Sequence, residues 1–130
     1  MQFASILVVD DDRAFREALC RALRAAGHAV EEAADGIQAL RIAAAEPHDL
    51  LITDLIMPNR DGIEVIMAVK QAHPALRILV ISGQAKVGPL DLMEVAARLG
   101  ADATLAKPFS TEQLFAKIAE VMAPRRPTTP

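Results

Sequence analysis

The chain has 130 residues, 52% of them hydrophobic and 24% charged, with a formal net charge of −3. This is the balance of one ordinary globular domain, long enough for a full core, with no basic stripe for nucleic acid and no segment approaching a membrane span. The single Cys20 excludes an intrachain disulfide and fits a reducing cytoplasm, and the absence of Trp and Tyr removes the usual stacking platform for sugars or bases.

Strand-like and helix-like runs alternate along the chain. Residues 5–9 read as a first strand and 13–26 as a helix, with Asp12 as N-cap and Gly27 just past its end. Residues 28–33 are a weaker second strand. Asp35-Gly36 opens a helix through about residue 45, and Pro47 lies beyond it. Residues 50–53 are a third strand, and Pro58, Asn59, Asp61 and Gly62 mark the following stretch as a loop. A third helix runs to about His73, before Pro74. Residues 77–81 are a fourth strand, and Gln84 to Pro89 is a permissive loop beside Gly83. A fourth helix ends at Leu99, with Gly100 as its stop, and 103–106 form a short fifth strand. Ser110-Thr111-Glu112-Gln113 is a capping box opening the last helix, which ends before Pro124. Residues 1–123 form the domain, and 124–130 have the composition of a Pro-rich flexible tail.

Five β-α units predict a three-layer, doubly wound α/β domain with a parallel five-stranded sheet. Strand order 2-1-3-4-5 puts strands one and three at the switch point, where ligands bind beyond the carboxyl ends of the strands. Each apolar strand then ends in a polar group at that edge: Asp10-Asp11-Asp12, Asp54, Ser82 and Lys107. Carboxylates from two adjacent strand ends repel one another, and a divalent cation relieves this, with Mg²⁺ or Mn²⁺ favoured by oxygen ligands. A carboxylate can attack phosphorus and hold an acyl phosphate, while an ammonium and a hydroxyl bind phosphoryl oxygens. Helix capping and solvation account for Asp12, but not for Asp54, which directly follows a wholly apolar strand.

Taken together, Ile6-Leu7-Val8-Val9-Asp10-Asp11-Asp12, Asp54-Leu55-Ile56-Met57-Pro58-Asn59-Arg60-Asp61-Gly62, Ile81-Ser82-Gly83 and Ala106-Lys107-Pro108-Phe109 resemble the receiver domain of a two-component response regulator. The resemblance covers the chain to about residue 123. It implies that Asp54 is the phosphoacceptor, that Asp11 binds Mg²⁺ directly and Asp10 through water, and that the Ile56 carbonyl is a backbone metal ligand. It implies that Lys107 pairs with Asp54 and then with the phosphoryl group, that Ser82 carries the switch, and that Lys107-Pro108 is cis. The implied partners are a histidine kinase or histidine phosphotransfer protein and a downstream protein target, with no direct nucleic acid and no membrane. The implied state is a monomer or a phosphorylation-dependent dimer in the cytoplasm, either standing alone or part of a longer protein. The resemblance implies no enzyme activity beyond the domain's own phosphorylation and dephosphorylation.

The chain departs from the family pattern at Thr104, where an aromatic residue usually completes the switch. Ile56 and Gln84 border the expected path of hydrolytic water, and neither is a carboxylate that would act as a base. Helix one carries more apolar residues than one core stripe needs, from Ala14 and Phe15 to Ala26, and the resemblance points to it, with the loop after Lys107, as the docking surface for a histidine kinase or phosphotransfer domain. The face made by helix four, strand five and the last helix is the implied output surface. His28, His48 and His73 sit at element ends without metal-ligand spacing and read as structural, Cys20 as core, and Met57 and Phe109 as packing. Two alternatives remain: a phosphorylation-independent pseudo-receiver scaffold, and a haloacid-dehalogenase-type phosphohydrolase built on Asp10-x-Asp12. The phosphohydrolase lacks a late acidic pair, since only Glu112 and Glu120 follow Lys107.

Overall fold

A computed structural model of the chain describes residues 4–55, 62–83, 86, 87 and 90–124. The elements in order are β1 (Ser5–Val9), α1 (Arg13–Ala25), β2 (Ala29–Ala33), α2 (Gly36–Ala45), β3 (Leu50–Thr53), α3 (Gly62–Ala72) and β4 (Arg77–Ser82). They continue with β5 (Lys86–Val87), β6 (Leu90–Asp91), α4 (Leu92–Leu99), β7 (Ala103–Ala106) and α5 (Thr111–Met122). The main sheet is parallel, in the order β2-β1-β3-β4-β7. This is the expected 2-1-3-4-5 arrangement, with β7 as the fifth strand.

One expectation changes between β4 and α4. The predicted loop holds a small antiparallel pair, in which Lys86 faces Asp91 and Val87 faces Leu90. Leu90 therefore belongs to a strand, and α4 starts at Leu92 behind Asp91, whose side chain accepts from the Met93 and Glu94 amides. Two-residue strands fall below the length at which alternation is readable.

The sheet divides the core by strand parity, since successive side chains point to opposite faces. Leu7, Val9, Leu51, Ile78 and Val80 pack with Ala39 and Ala43 of α2, Val65, Ile66 and Val69 of α3, and Ala96 of α4. Ile6, Val8, Leu50, Ile52, Leu79 and Ile81 pack with Leu19, Cys20 and Leu23 of α1, and Leu114, Ile118 and Val121 of α5. Central strands buried on both faces explain why β1, β3 and β4 read as continuous apolar runs. Burial also pushes the Cys20 thiol up to about 11, so it packs as a small apolar group.

Local chemistry sets where each helix starts. Asp12, Asp35 and Ser110 have extended backbones, and their side chains accept from Phe15, Gln38 and Gln113 amides at 3.1, 2.9 and 3.0 Å. The box at Ser110 is reciprocal, with the Ser110 amide donating to Gln113 Oε1 at 2.8 Å. Gly27, with φ at 102°, takes the left-handed conformation that turns the chain from α1 into β2. Among the described residues no helix is long and apolar enough to cross a membrane. Of the predicted tail only Pro124 is described.

Candidate functional site

The last rungs of the sheet place the site. Beyond the strand ends the backbone ladder continues by one bond each. Asp10 N–H donates to the Ala33 carbonyl (3.2 Å), Asp54 N–H to the Val9 carbonyl (3.2 Å), and Lys107 N–H to the Ser82 carbonyl (3.0 Å). Asp10, Asp54, Ser82 and Lys107 are thus fixed in one row at the carboxyl edge. They line an open cleft of about 300 Å³ together with Asp11, Asp12 and Gly83. Every described residue that the sequence placed at this edge is in that cleft, and Ile56, Met57 and Gln84 lie outside the described residues.

Asp10 is fully buried. Its Oδ1 accepts from the Asp12 amide at 2.9 Å and its Oδ2 from Lys107 Nζ at 3.0 Å. Burial pushes its carboxyl above the ordinary 3.8, against the downward pull of the Asp12 amide and Lys107. Asp54 is nearly buried, and both of its oxygens are held: Oδ1 accepts from the Leu55 amide at 2.6 Å, Oδ2 from Lys107 Nζ at 3.2 Å. The Thr53 hydroxyl, wholly buried, donates to the Asp54 carbonyl at 2.9 Å. Asp11 is exposed, and a carboxylate oxygen from each of Asp10, Asp11 and Asp54 lies within 4.8 Å of the others. Ser82 is 2% exposed and lines the same cleft.

Lys107 is the cation among these carboxylates. Burial alone would lower its ammonium's affinity for the proton, but the bond to Asp10 and the charges of Asp54 and Asp10 outweigh it and raise the group. The Lys107–Pro108 peptide is cis, as expected. Among the described residues that line the cleft, the carboxylates outnumber this one ammonium and leave it negative. All-oxygen donors at this spacing, one of them resisting ionisation, fit a hard divalent cation.

The backbone around Asp54 is also tightly packed. Gly62 N–H donates to the Leu55 carbonyl at 2.8 Å, and a Cβ at Gly62 would fall on the Asp54 carbonyl and Leu55 Cα. Only glycine lets α3 begin this close to the end of β3.

Several supporting residues escaped the sequence reading. Arg16 Nη1 donates to the Asp10 carbonyl at 2.7 Å while its Nε pairs with Glu32 at 3.2 Å. Phe15 presents its ring to Lys107 Nζ, 4.0 Å from the centroid, and Phe109 meets Phe15 edge-on, 5.9 Å between centroids. The readable signal was Phe15 and Arg16 on the first turn and a half of α1, directly after the acidic run. Nothing in their spacing says that α1 leans over the strand end from β7. Thr104 is half-buried opposite Val80. Asp12 caps α1, and two of the histidines make structural bonds. His28 Nδ1 accepts from the Ala4 amide, and His48 bonds Glu31 and the Glu46 carbonyl.

A family model for the response regulator receiver domain matches residues 6–119. Response regulator MprA of Mycobacterium avium and that of Mycobacterium tuberculosis are each 41% identical over 124 residues, covering 94% of this chain and 52% of theirs. The chain spans about half the length of the curated relatives it matches. Among solved structures, chemotaxis protein CheY4 of Vibrio cholerae is 31% identical, with a TM-score of 0.83 over 92% of this chain and 99% of that one. A CheY-like receiver domain protein from Methanospirillum hungatei is 28% identical, with a TM-score of 0.85 over 93% and 94%. The acidic edge of a doubly wound sheet and these likenesses have one reading: the chain belongs to the response regulator receiver domain family of two-component signal transduction.

Proposed function

We propose that this domain takes a phosphoryl group onto Asp54 from a histidine kinase or histidine phosphotransfer protein in a Mg²⁺-dependent reaction. The observation that carries this is the single ammonium of Lys107 shared between Asp10 Oδ2 and Asp54 Oδ2, beside a third carboxylate. An Asp54 oxygen forms the new bond to phosphorus as the donor's P–N bond breaks. The electron pair stays on the donor imidazole, which picks up a proton. Leu55 N–H and Lys107 fix the acceptor carboxylate, so little reorganisation remains for the transfer. Lys107 offsets charge on the incoming group, and Ser82 offers a hydroxyl from the cleft wall. Asp10, Asp11 and Asp54, with the Ile56 carbonyl, would hold the cation. When bound, it supplies charge neutralisation for an anionic acceptor meeting an anionic donor.

The donor protein docks on α1 and the start of α5. Ala14 and Ala18 are exposed there, and Phe15, Ala18, Leu19, Ala22, Phe109 and Leu114 line an apolar groove of about 160 Å³. Ser82 passes the signal to the face made by α4, β7 and α5, which binds the downstream protein. With Thr104 in the strand, that passage does not use an aromatic ring on β7. The domain acts on no substrate but its own acyl phosphate, and it works in the cytoplasm.

Intact mass after incubation with acetyl phosphate tests the reading. One phosphoryl adduct is expected, lost in Asp54→Ala and with a chelator. No adduct, together with no binding of beryllofluoride, would transfer the assignment to a phosphorylation-independent scaffold. Turnover of a phosphate ester abolished by Asp10→Asn would point to a phosphohydrolase.

A further inference from the structure

We propose that Phe15 is a positioning residue for phosphoryl transfer, its aromatic face holding the Lys107 ammonium at the Asp10 and Asp54 carboxylates. The inference rests on the phosphoacceptor reading above. Lys107 has a flexible four-carbon stem and three N–H donors. Asp10 Oδ2 at 3.0 Å and Asp54 Oδ2 at 3.2 Å take hydrogen bonds, and the ring of Phe15, 4.0 Å away, covers the ammonium from a further side. An aromatic face is electron-rich and attracts a cation, most strongly where water is excluded.

The ring is itself held from two directions. Asp12 Oδ1 accepts from the Phe15 amide at 3.1 Å and so fixes the first turn of α1. Phe109 meets the ring at 90°, with centroids 5.9 Å apart. Phe109 lies two residues after Lys107, so one turn of chain delivers both the cation and the edge contact to the same ring. An aliphatic residue at Phe15 would keep part of this apolar packing but would offer no electron-rich face. Aromatic character, rather than bulk, is therefore the testable property. In this arrangement the capping of α1, the aromatic pair and the catalytic ammonium form one continuous contact path.

The experiment follows formation of the Asp54 adduct by intact mass, using the full chain with Mg²⁺ and acetyl phosphate. This small donor needs no docking surface, so a change in rate cannot come from partner binding. Phe15→Leu is expected to slow the reaction by about three- to ten-fold, and Phe15→Trp to keep it within about two-fold of wild type by the same attraction. Site-specific replacement of Phe15 by mono-, di- and trifluorophenylalanine should slow it stepwise while thermal midpoints stay level, because fluorine drains the ring face with little change of shape. Equal rates across the fluorinated series, or a Leu variant as fast as wild type, would overturn the proposal. A second readout does not depend on transfer. The terminal Lys107 side-chain protons should carry an upfield ring-current shift in the NMR spectrum that Phe15→Leu removes. Absence of that shift in wild type overturns the contact itself. A wild type that shows the shift but forms no adduct overturns the phosphoacceptor reading, and the positioning role with it.

Discussion

The two edges of the sheet carry similar residues to opposite ends. At the amino edge, polar side chains in the loops close the strands. Asp49 Oδ2 accepts from the Ser5 amide at 2.8 Å, Asp102 Oδ2 from the Ile78 amide at 2.8 Å, and His28 Nδ1 from the Ala4 amide at 3.0 Å. Each acceptor there takes a backbone amide at the start of a strand, and Asp102 also pairs with Lys70 at 3.7 Å. At the carboxyl edge, Asp10 and Asp54 share one ammonium beside a third carboxylate, that of Asp11, and burial resists the ionisation of Asp10. An aspartate beside a strand is therefore structural at one edge and a candidate for chemistry at the other. The side chain is the same; what differs is whether its neighbours complete its bonding or compete with it.

The comparison breaks most sharply at Lys107. Lys107→Ala leaves a buried carboxylate without its cation, and acyl-phosphate formation from acetyl phosphate should slow by about 10- to 100-fold, or roughly 1.4–2.7 kcal/mol of barrier. A rate equal to wild type would remove Lys107 from the chemistry. At the opposite edge, Asp102→Ala should cost about 1–2 kcal/mol in urea unfolding, by orphaning the Ile78 amide. Its phosphorylation rate should stay at the wild-type level. A loss of rate there would mean that the two edges are not separable.

A divalent cation sharpens the contrast further. Mg²⁺ at ten times its dissociation constant should stabilise the wild type by about 1.4 kcal/mol, read as a shift in thermal midpoint. Asp11→Asn should shrink that shift, and Asp49→Ala should leave it intact.

The smallest effect is a pH dependence. The Asp10 carboxyl is raised by burial above its ordinary 3.8. Below 3.8 the folded and unfolded chains both hold the proton, so the favourable contribution of the neutral form is complete. As pH rises past 3.8 the unfolded chain releases its proton first, and stability falls until the folded carboxyl has ionised. Asp10→Asn should lack this decline and, in metal-free buffer at neutral pH, melt above the wild type. The gain is small because the Asp12 amide and Lys107 already offset much of the burial. A variant that melts below wild type at neutral pH would mean that these bonds outweigh it.

Much of this was readable along the chain because the signals are local. Apolar runs, Asp12, Asp35 and the box at Ser110 each act within a few residues, and the α/β alternation allowed few topologies. The four polar strand ends were readable for the same reason, since each directly follows its own apolar run. The β5–β6 pair was not, because two-residue strands leave no alternation to see. The supporting contacts of Phe15 and Arg16 were missed because each joins elements distant in sequence. Asp49 and Asp102 were missed because nothing local separates a strand-closing aspartate from a solvated one.

The sequence alone determined the five β-α units, that the sheet is parallel and central, and which residues reach its carboxyl edge. Hydrogen-bonding period, turn chemistry and chain direction suffice for that. Tertiary structure alone decided which carboxylate is buried, that one ammonium bridges Asp10 and Asp54, and that an aromatic ring from α1 covers it. Desolvation, charge pairing and cation–π attraction depend on distances between strands and helices, and those distances exist only once the layers have packed.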